Sequence, residues 1–326
     1  MLPGSSSVPP AVALARPAAR LPTARDAALW FEPKWDGYRL TIVRDERTTL
    51  WSRQGKDLTV SFPEIAAAAE AEIPSGCVLD GELVIWSEGR LSFDSLQRRV
   101  GSRALRAKQL GNELPASYVA FDLLAVAGRD IRHHALSVRR ALLEELASTW
   151  TPPLSLSPGT LDRTEALEWA ESMGNAGIEG LVAKALDAPY AAGQREWIKV
   201  KRRDTIDVVA GAVIGRRSHP EAVVVGVYVD GQLRIAGRST ALPSSTSRAL
   251  GELLEAPKDA HPWPATVAPG AVDRFNAGRD PVTLTLVEPI VVEISADAAR
   301  SGYSFRHAVR FLRARPELDA RTVISP

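Results

Sequence analysis

The chain has 326 residues, 45% of them hydrophobic and 24% charged, with a formal net charge of +1. That length suits two cores, and the lone cysteine, Cys77, excludes an intrachain disulfide and fits a reducing compartment. Residues 1–204 hold 26 basic and 26 acidic side chains and residues 205–326 hold 14 and 13, so any grip on nucleic acid must come from local patches. No segment approaches the roughly 18 apolar residues of a membrane span, and residues 1–20, rich in Pro, Ser and Ala, lack a signal peptide's apolar run. The expectation is a flexible lead-in over 1–20 on a cytoplasmic protein.

Residues 28–60 read as a β-meander. An apolar stretch to Phe31 is followed by a tight turn, then strands Tyr38–Arg44 and Thr48–Arg53 about a polar Asp45-Glu46-Arg47 turn. The first turn is Lys34-Trp35-Asp36-Gly37-Tyr38-Arg39, with Gly37 expected to relax its backbone. It fixes an amine beside a carboxylate and a guanidinium. A lysine is nucleophilic only when neutral, and at a pKa of about 10.4 only roughly 0.1% is neutral near pH 7.4. Burial, a cation or a metal raises that fraction. Asp36 works the other way and suits a loop-orienting role. Arg39 suits a phosphate or a ribose hydroxyl. Taken alone, the string also fits a polar turn with a surface lysine.

Phe62-Pro63-Glu64 opens an alanine-rich packing helix to about Ile73, with Ile65, Ala68, Ala69 and Glu72 on one face. Cys77–Trp86 is a buried strand carrying Glu82. Leu91 to Leu96 begins a short helix capped by Ser92. Arg98, Arg99, Arg103, Arg106 and Lys108 follow with no acid among them, which suits a phosphate backbone or a solvated helix face. Ser117–Ala127 is a strand holding Phe121. Ser137 starts an amphipathic helix with Leu142, Leu143 and Leu146 inward. A Pro/Ser-rich loop covers 151–160. A second helix runs from a Thr164 cap to about Gly174, with Leu167, Ala170 and Met173 inward.

Glu179–Ala185 and Glu196–Lys201 are strands. Lys199 and Lys201 share a face, and two cations on one face repel unless an anion sits between them. Glu179 is the best metal-ligand candidate, a hard oxygen donor for Mg²⁺. The pattern changes after Lys201-Arg202-Arg203-Asp204. Short strands follow at Ile206–Ile214, Ala222–Val229, Leu233–Arg238, Val282–Pro289 and Val291–Ser295, with a hairpin signal at Asp230-Gly231 and a helix within Pro243–Leu254. Five strands and a helix fit an OB-fold barrel. Arg306, His307, Arg310, Arg313 and Arg315 form a basic face near the end. The histidines, including adjacent His133 and His134, receive no chemistry. No Walker-type glycine loop exists, so phosphates must be held by side chains.

The lysine turn resembles the adenylated-lysine motif of the covalent nucleotidyltransferases: ATP-dependent DNA ligases, RNA ligases and mRNA capping enzymes. Six further strings follow in family order. They are Ser52 to Lys56, Leu79-Asp80-Gly81-Glu82-Leu83, Tyr118 to Asp122, Glu179 to Lys184, Trp197-Ile198-Lys199-Val200-Lys201, and Arg306 to Pro316. The match is most like the small two-domain bacterial ATP-dependent DNA ligases. The resemblance implies an α+β chain, with an antiparallel-sheet adenylation domain over 21–203 and an OB-fold domain over 204–326.

The resemblance implies that Lys34 is the nucleophile. It assigns Glu32, Arg39, Arg53, Glu82, Phe121, Glu179, Arg195, Lys199, Lys201, Arg310 and Arg313 to the nucleotide, with Phe121 stacked on adenine. Glu179 and Glu82 would hold Mg²⁺ or Mn²⁺, and Arg98, Arg99, Arg103 and Arg106 would hold nicked duplex DNA. Three transfers are expected. Lys34 takes AMP from ATP, AMP moves to a 5′-phosphate at a nick, and the 3′-hydroxyl seals the strand. A monomer acting in DNA repair with helper proteins is expected. The rivals are an RNA ligase or capping-type enzyme and a non-catalytic nick-binding module.

Overall fold

The computed structural model describes residues 7–22, 28–273, 280–297 and 300–323. The chain divides into two compact units, Met1–Arg202 and Arg203–Pro326.

In the first unit the strands are β1 (Ala15–Ala18), β2 (Leu29–Pro33), β3 (Tyr38–Arg44), β4 (Thr48–Ser52), β5 (Cys77–Ser87), β6 (Arg90–Leu91), β7 (Ala116–Val126), β8 (Arg129–Asp130), β9 (Leu154–Leu156), β10 (Gly180–Ala185) and β11 (Trp197–Lys201). The helices are α1 (Pro63–Glu72), α2 (Phe93–Arg99), α3 (Ala104–Glu113), α4 (Leu136–Ala147) and α5 (Arg163–Ser172). One sheet runs β4-β3-β5-β7-β8, with β6 on β5 and β9 on β7, and the other runs β1-β11-β10-β2.

Three apolar layers follow from strand alternation. Leu40, Ile42, Leu79 and Leu83 of the larger sheet pack on Phe62, Ile65 and Leu143 from the helical side. The sheet's opposite face, with Val43, Trp51, Val78, Phe121 and Leu124, meets Tyr190 and Trp197. Phe31, Leu181 and Ala183 turn the other way, onto Ala166 of α5. Each large side chain so buried contributes about 1.5–3 kcal/mol. In β2, β10 and β11 the residues between those apolar ones, Glu32, Val182, Lys184 and Lys199, therefore share the face that looks into the molecule.

The flexible lead-in expected over 1–20 is not what the described part of that segment forms; residues 1–6 lie outside the described residues. Val12, Ala13 and Leu21 are buried, and β1 pairs in parallel with β11, Ala15 against Trp197 and Pro17 against Lys199. The apolar run Val12 to Ala15 finds a partner far along the chain, and Pro17 is tolerated because β1 is an edge strand. Helix α5 is capped by Asp162, whose carboxylate accepts from Thr164 N at 2.7 Å, and not by Thr164. Ala166 is buried and Leu167 exposed. The Ser92 cap of α2 forms as expected, accepting from Ser95 N.

The second unit contains β12 (Arg203–Arg216), β13 (His219–Val229), β14 (Gln232–Arg238), α6 (Ser244–Gly251), β15 (Thr266–Val267), α7 (Pro269–Val272), β16 (Val282–Thr283), β17 (Thr285–Asp297), β18 (Arg300–Ser301), β19 (Ser304–Phe305) and β20 (Arg310–Ala314). Its main sheet is antiparallel in the order β14-β13-β12-β17-β20. The far edges of that order meet, because Thr240 N donates to Val309 O at 2.8 Å and Val309 N to Arg238 O at 3.0 Å. Asp230 and Gly231 both have positive φ, 50° and 75°, as a type I′ hairpin requires. The two strands expected over 282–295 are largely one, β17. Its register slips between Ala210 and Ala212 opposite residues 286–290, which accommodates the missing N–H of Pro289.

Candidate active site

Strand β2 delivers Lys34. Its ladder with β10 pairs Pro33 with Leu181 and continues one residue further, with Lys34 N donating to Gly180 O at 2.8 Å and Glu179 N to Lys34 O at 2.9 Å. Gly180 has φ +145°, and a Cβ there would stand 2.9 Å from Arg202 N and press into the Val200 carbonyl oxygen. Only glycine fits this left-handed position. Because of it, the Glu179 side chain meets the lysines and not the apolar layer under Leu181. Lys34 Nζ donates to Glu179 Oε2, and Lys201 Nζ lies 3.8 Å from the same oxygen.

Lys199 belongs to the same group. Its pKa is lowered by burial first, then by the charges of Lys34, Lys201 and Arg195, with Glu179 pulling the other way. Three amines thus crowd one nearly buried carboxylate, an arrangement that invites an anion with more negative charge than Glu179 alone supplies.

Gly37 is required for a different reason from the one expected. Its φ is not left-handed; a Cβ would lie 2.9 Å from Glu82 Cγ and 3.1 Å from the Leu83 carbonyl carbon, and closer still to that carbonyl's oxygen. The glycine lets the lysine turn lie flat on β5. Glu82 faces the turn. Burial pushes its carboxyl up to about 8, against the pull of Lys34 and Arg39 and with a further push from Asp80 and Asp36.

Glu82 and Glu179 are hard-oxygen donors of the kind Mg²⁺ takes. No cluster of three or more His, Cys, Asp or Glu side chains suited to a metal exists among the described residues. Two carboxylates fit an ion completed by nucleotide phosphates and water and do not make a preformed cage.

Three expected nucleotide ligands make contacts within the protein itself. Arg39 is held by the fully buried Asp80, Nε to Oδ1 at 2.8 Å and Nη2 to Oδ2 at 2.5 Å, and Tyr190 Oη also donates to Asp80 at 2.6 Å. Asp80 needs a counter-charge, and Arg39 supplies it through Nε and Nη2. Phe121 is 8% exposed, with the Arg39 guanidinium 5.0 Å and Lys184 Nζ 4.7 Å from its ring centroid. It packs edge-on to Trp197. Glu32 is 2% exposed and accepts from Trp30 Nε1 at 2.8 Å and Lys184 Nζ at 2.7 Å. Both its oxygens are occupied beneath the sheet. Asp122 and Arg139 form another buried pair, at 2.8 and 3.1 Å.

The remaining expected residues divide. Arg53 and Arg195 are exposed, and Arg195 donates to Ala15 O at 3.4 Å. Arg98, Arg103 and Arg106 are exposed, but Arg99 is not. It donates to Glu64 at 2.5 and 2.9 Å, to Leu114 O and to Ser61 O, and lies over the Phe62 ring. Arg99 is a structural cross-brace and is withdrawn from the DNA-contacting set. Arg310 and Arg313 are exposed on β20 of the second unit, and Arg313 Nε donates to Glu293.

The residues missed by sequence reasoning are Asp80, Asp122, Lys184 and Tyr190. The available signal was a charge at an inward position of an otherwise apolar strand, as in Val78-Leu79-Asp80 and Phe121-Asp122-Leu123-Leu124.

The chain matches the sequence model of the ATP-dependent DNA ligase domain over residues 11–201. It is 37% identical to DNA ligase C2 of Mycolicibacterium smegmatis over 310 residues, covering 90% of this chain and 87% of that protein. It is 35% identical to DNA ligase C of Mycobacterium tuberculosis over 312 residues, with coverages of 90% and 87%. Among solved structures it is similar to a mycobacterial DNA ligase D complexed with ATP and MES, at 27% identity, coverage of 97% and 98%, and a TM-score of 0.50.

Proposed function

The chain belongs to the ATP-dependent DNA ligases, and from that premise we propose that Lys34 is the residue that carries AMP from ATP to a nicked DNA strand. The observation behind this is the seating of the Lys34 amine on Glu179 with Lys199 and Lys201 beside it.

In the first step the Lys34 Nζ lone pair attacks the α-phosphorus of ATP. The bond from that phosphorus to its bridging oxygen breaks, and pyrophosphate leaves. Glu179 is the nearest acceptor for the proton the amine gives up. Lys199 and Lys201, on one face of β11, neutralise the α-phosphate; in phosphoryl transfer such positioning and charge neutralisation carry most of the catalysis. Glu179 and Glu82, together with nucleotide phosphates, would hold Mg²⁺ or Mn²⁺, which would supply further charge neutralisation. The AMP then passes to a 5′-phosphate, and attack by the 3′-hydroxyl joins the strand and releases AMP.

Arg53 and Arg195 are assigned to nucleotide or DNA phosphate on their exposure, and Arg310 and Arg313 to the departing pyrophosphate on the resemblance of their string. The first unit is taken as the adenylation domain. The second is taken as an OB-fold, on its five antiparallel strands and the meeting of Val309 with Arg238 and Thr240. A monomer working in the cytoplasm on nicked duplex, with helper proteins in repair, completes the proposal. No helix among the described residues is long and apolar enough to cross a membrane.

The test is transfer of label from α-³²P-ATP to wild type and to Lys34→Ala, with nicked duplex added afterwards. Label on the wild type alone, chased to DNA and lost as AMP with a sealed strand, is expected. Equal labelling of Lys34→Ala would remove Lys34 from the role, and label that never leaves the wild-type protein would remove nicked DNA.

A further inference from the structure

Between the two sheets of the first unit stands a hydroxyl that the chemistry above does not use, that of Tyr190. The residue is 5% exposed. Its ring lies edge-on to Trp197, 5.8 Å between centroids and 81° between planes, in the layer that also holds Phe121 and Trp51. Its backbone is tied separately, with Tyr190 N donating to Arg132 O at 2.8 Å. A phenylalanine would fill the same space and keep those contacts. What calls for the hydroxyl is therefore the set of groups it bonds.

Those groups come from segments far apart in the chain. Ala13 N, just ahead of β1, donates to Tyr190 Oη at 2.9 Å. Arg39 Nη2 donates to the same oxygen at 3.4 Å. Tyr190 Oη in turn donates to Asp80 Oδ2 at 2.6 Å. A hydroxyl has one proton and two lone pairs, so this one is filled. Burial first, and then the Asp80 charge, hold the phenol well above its ordinary value. The proton therefore stays on, and the two donors leave it only Asp80 to face.

Arg39 is the group this arrangement controls. Its Nε–H goes to Asp80 Oδ1, and Nη2 goes to Asp80 Oδ2 and Tyr190 Oη. Nη1 makes no hydrogen bond among the described residues, and the side chain is 17% exposed. Arg39 is paired across the ladder with Glu82, and cross-strand partners share a face. Glu82 feels the charges of Lys34 and Arg39 together. The guanidinium thus borders the lysine turn, and what it can offer a nucleotide is the Nη1 end of its fork, not both ends.

We infer that Tyr190 is a positioning residue for ATP: anchored on the Ala13 N–H, its hydroxyl holds Asp80 and Arg39 Nη2 in place and so fixes Nη1, the nitrogen left to meet an oxygen of the nucleotide. This rests on the ligase reading. Asp80 by itself is a weak guide, because a carboxylate turns broadly about its own terminal bond; the Tyr190 hydroxyl stops that turn. The hydroxyl is filled by its three partners, so it has no bond left for Lys34. Its loss falls on nucleotide binding and not on the attack by the amine, and a contact made equally in the ground and transition states is read in KM.

The test is lysyl-AMP formation by the whole chain over a range of ATP concentrations, with rates normalised to end-point labelling. Tyr190→Phe is expected to raise the KM for ATP about tenfold, the order of one hydrogen bond to a charged group, with kcat within about twofold of wild type. In an Arg39→Lys background, which lacks Nη1, Tyr190→Phe should raise KM no further, because both changes remove the same contact. A wild-type KM in Tyr190→Phe would overturn the proposal. So would a KM raised by the same factor in both backgrounds, or a fall in kcat alone, which is the mark of a structural role. If circular dichroism shows Tyr190→Phe unfolded, Asp80→Asn takes its place: it keeps the shape of the side chain, weakens the hold on Arg39, and carries the same expected and overturning results. Calorimetric titration of ATP into Lys34→Ala, with and without Tyr190→Phe, separates this role from the lysine chemistry. Weaker binding with Tyr190→Phe, beside a wild type that forms no lysyl-AMP, would keep the positioning role and remove the lysine chemistry; lysyl-AMP formed by Tyr190→Phe at the wild-type KM would do the reverse.

Discussion

Substituting Gly37 by alanine puts one methyl group where β5 already stands. The new Cβ would lie 2.9 Å from Glu82 Cγ and 3.1 Å from the Leu83 carbonyl carbon, and closer to its oxygen, against about 3.4 Å for an ordinary contact. Strand β5 is paired on both sides, to β3 and β7, so the lysine turn is the part that yields, by a distance on the order of 1 Å. Overpacking of this kind costs about 1–3 kcal/mol, which in a unit of this size lowers Tm by about 2–12 °C. The larger effect is on chemistry. Lys34 lies three residues before Gly37, and an amine displaced by roughly 1 Å loses about 100-fold in rate. Lysyl-AMP formation from labelled ATP, beside thermal unfolding followed by circular dichroism, measures both. A Gly37→Ala protein that adenylates within about threefold of wild type at unchanged Tm would refute the close approach of turn and strand, and with it the account of why glycine is needed there.

Arg139→Met strands the Asp122 charge in the core and should cost about 3–5 kcal/mol, while the double change Asp122→Leu with Arg139→Met recovers most of it; equal denaturation midpoints for single and double variants would contradict this. Lys199→Ala should slow lysyl-AMP formation by about 100-fold while Tm holds or rises, since three crowded amines become two; a fall in both rate and Tm would mean that Lys199 holds the sheet together instead. Cys77 is fully buried, and burial pushes its thiol above the ordinary value. The native protein should therefore resist a thiol reagent at pH 8 and react once per chain in denaturant, whereas rapid native labelling would contradict the packing around β5.

Much of the architecture was readable because it is local. Apolar patterning marked β3, β4, β5 and β7 nearly to the residue, Asp230-Gly231 marked its hairpin, and Ser92 marked its cap. The spacing that puts Lys199 and Lys201 on one face needs only the geometry of a strand. What was not legible depends on partners distant in sequence. Arg39, Glu32 and Phe121 looked like ligands because each adjoins or lies within a motif. The counter-charge for Arg39 is 41 residues away, and Glu32 and Phe121 meet Lys184 only across the folded sheet. Arg99 looked like its neighbours until the helix phase turned it onto Glu64. A composition rich in Pro and Ala hid β1, whose hydrogen-bonding partner is not nearby in sequence at all.

Strand β1 also sets a timetable for synthesis. Ala13 waits for the hydroxyl of Tyr190, 177 residues later, and β1 itself waits for β11. At translation speeds of about 5–20 residues per second, that is roughly 10–40 s during which the earlier segment has left the ribosome and nothing exists for it to join. Pro17, which cannot donate to a ladder, makes it a poor template for a stray strand meanwhile. The sheet that carries Lys199 and Lys201 is therefore the last piece of the unit to close. A nascent chain stopped short of β11 holds Lys34 but has neither Lys199 nor Lys201 beside it.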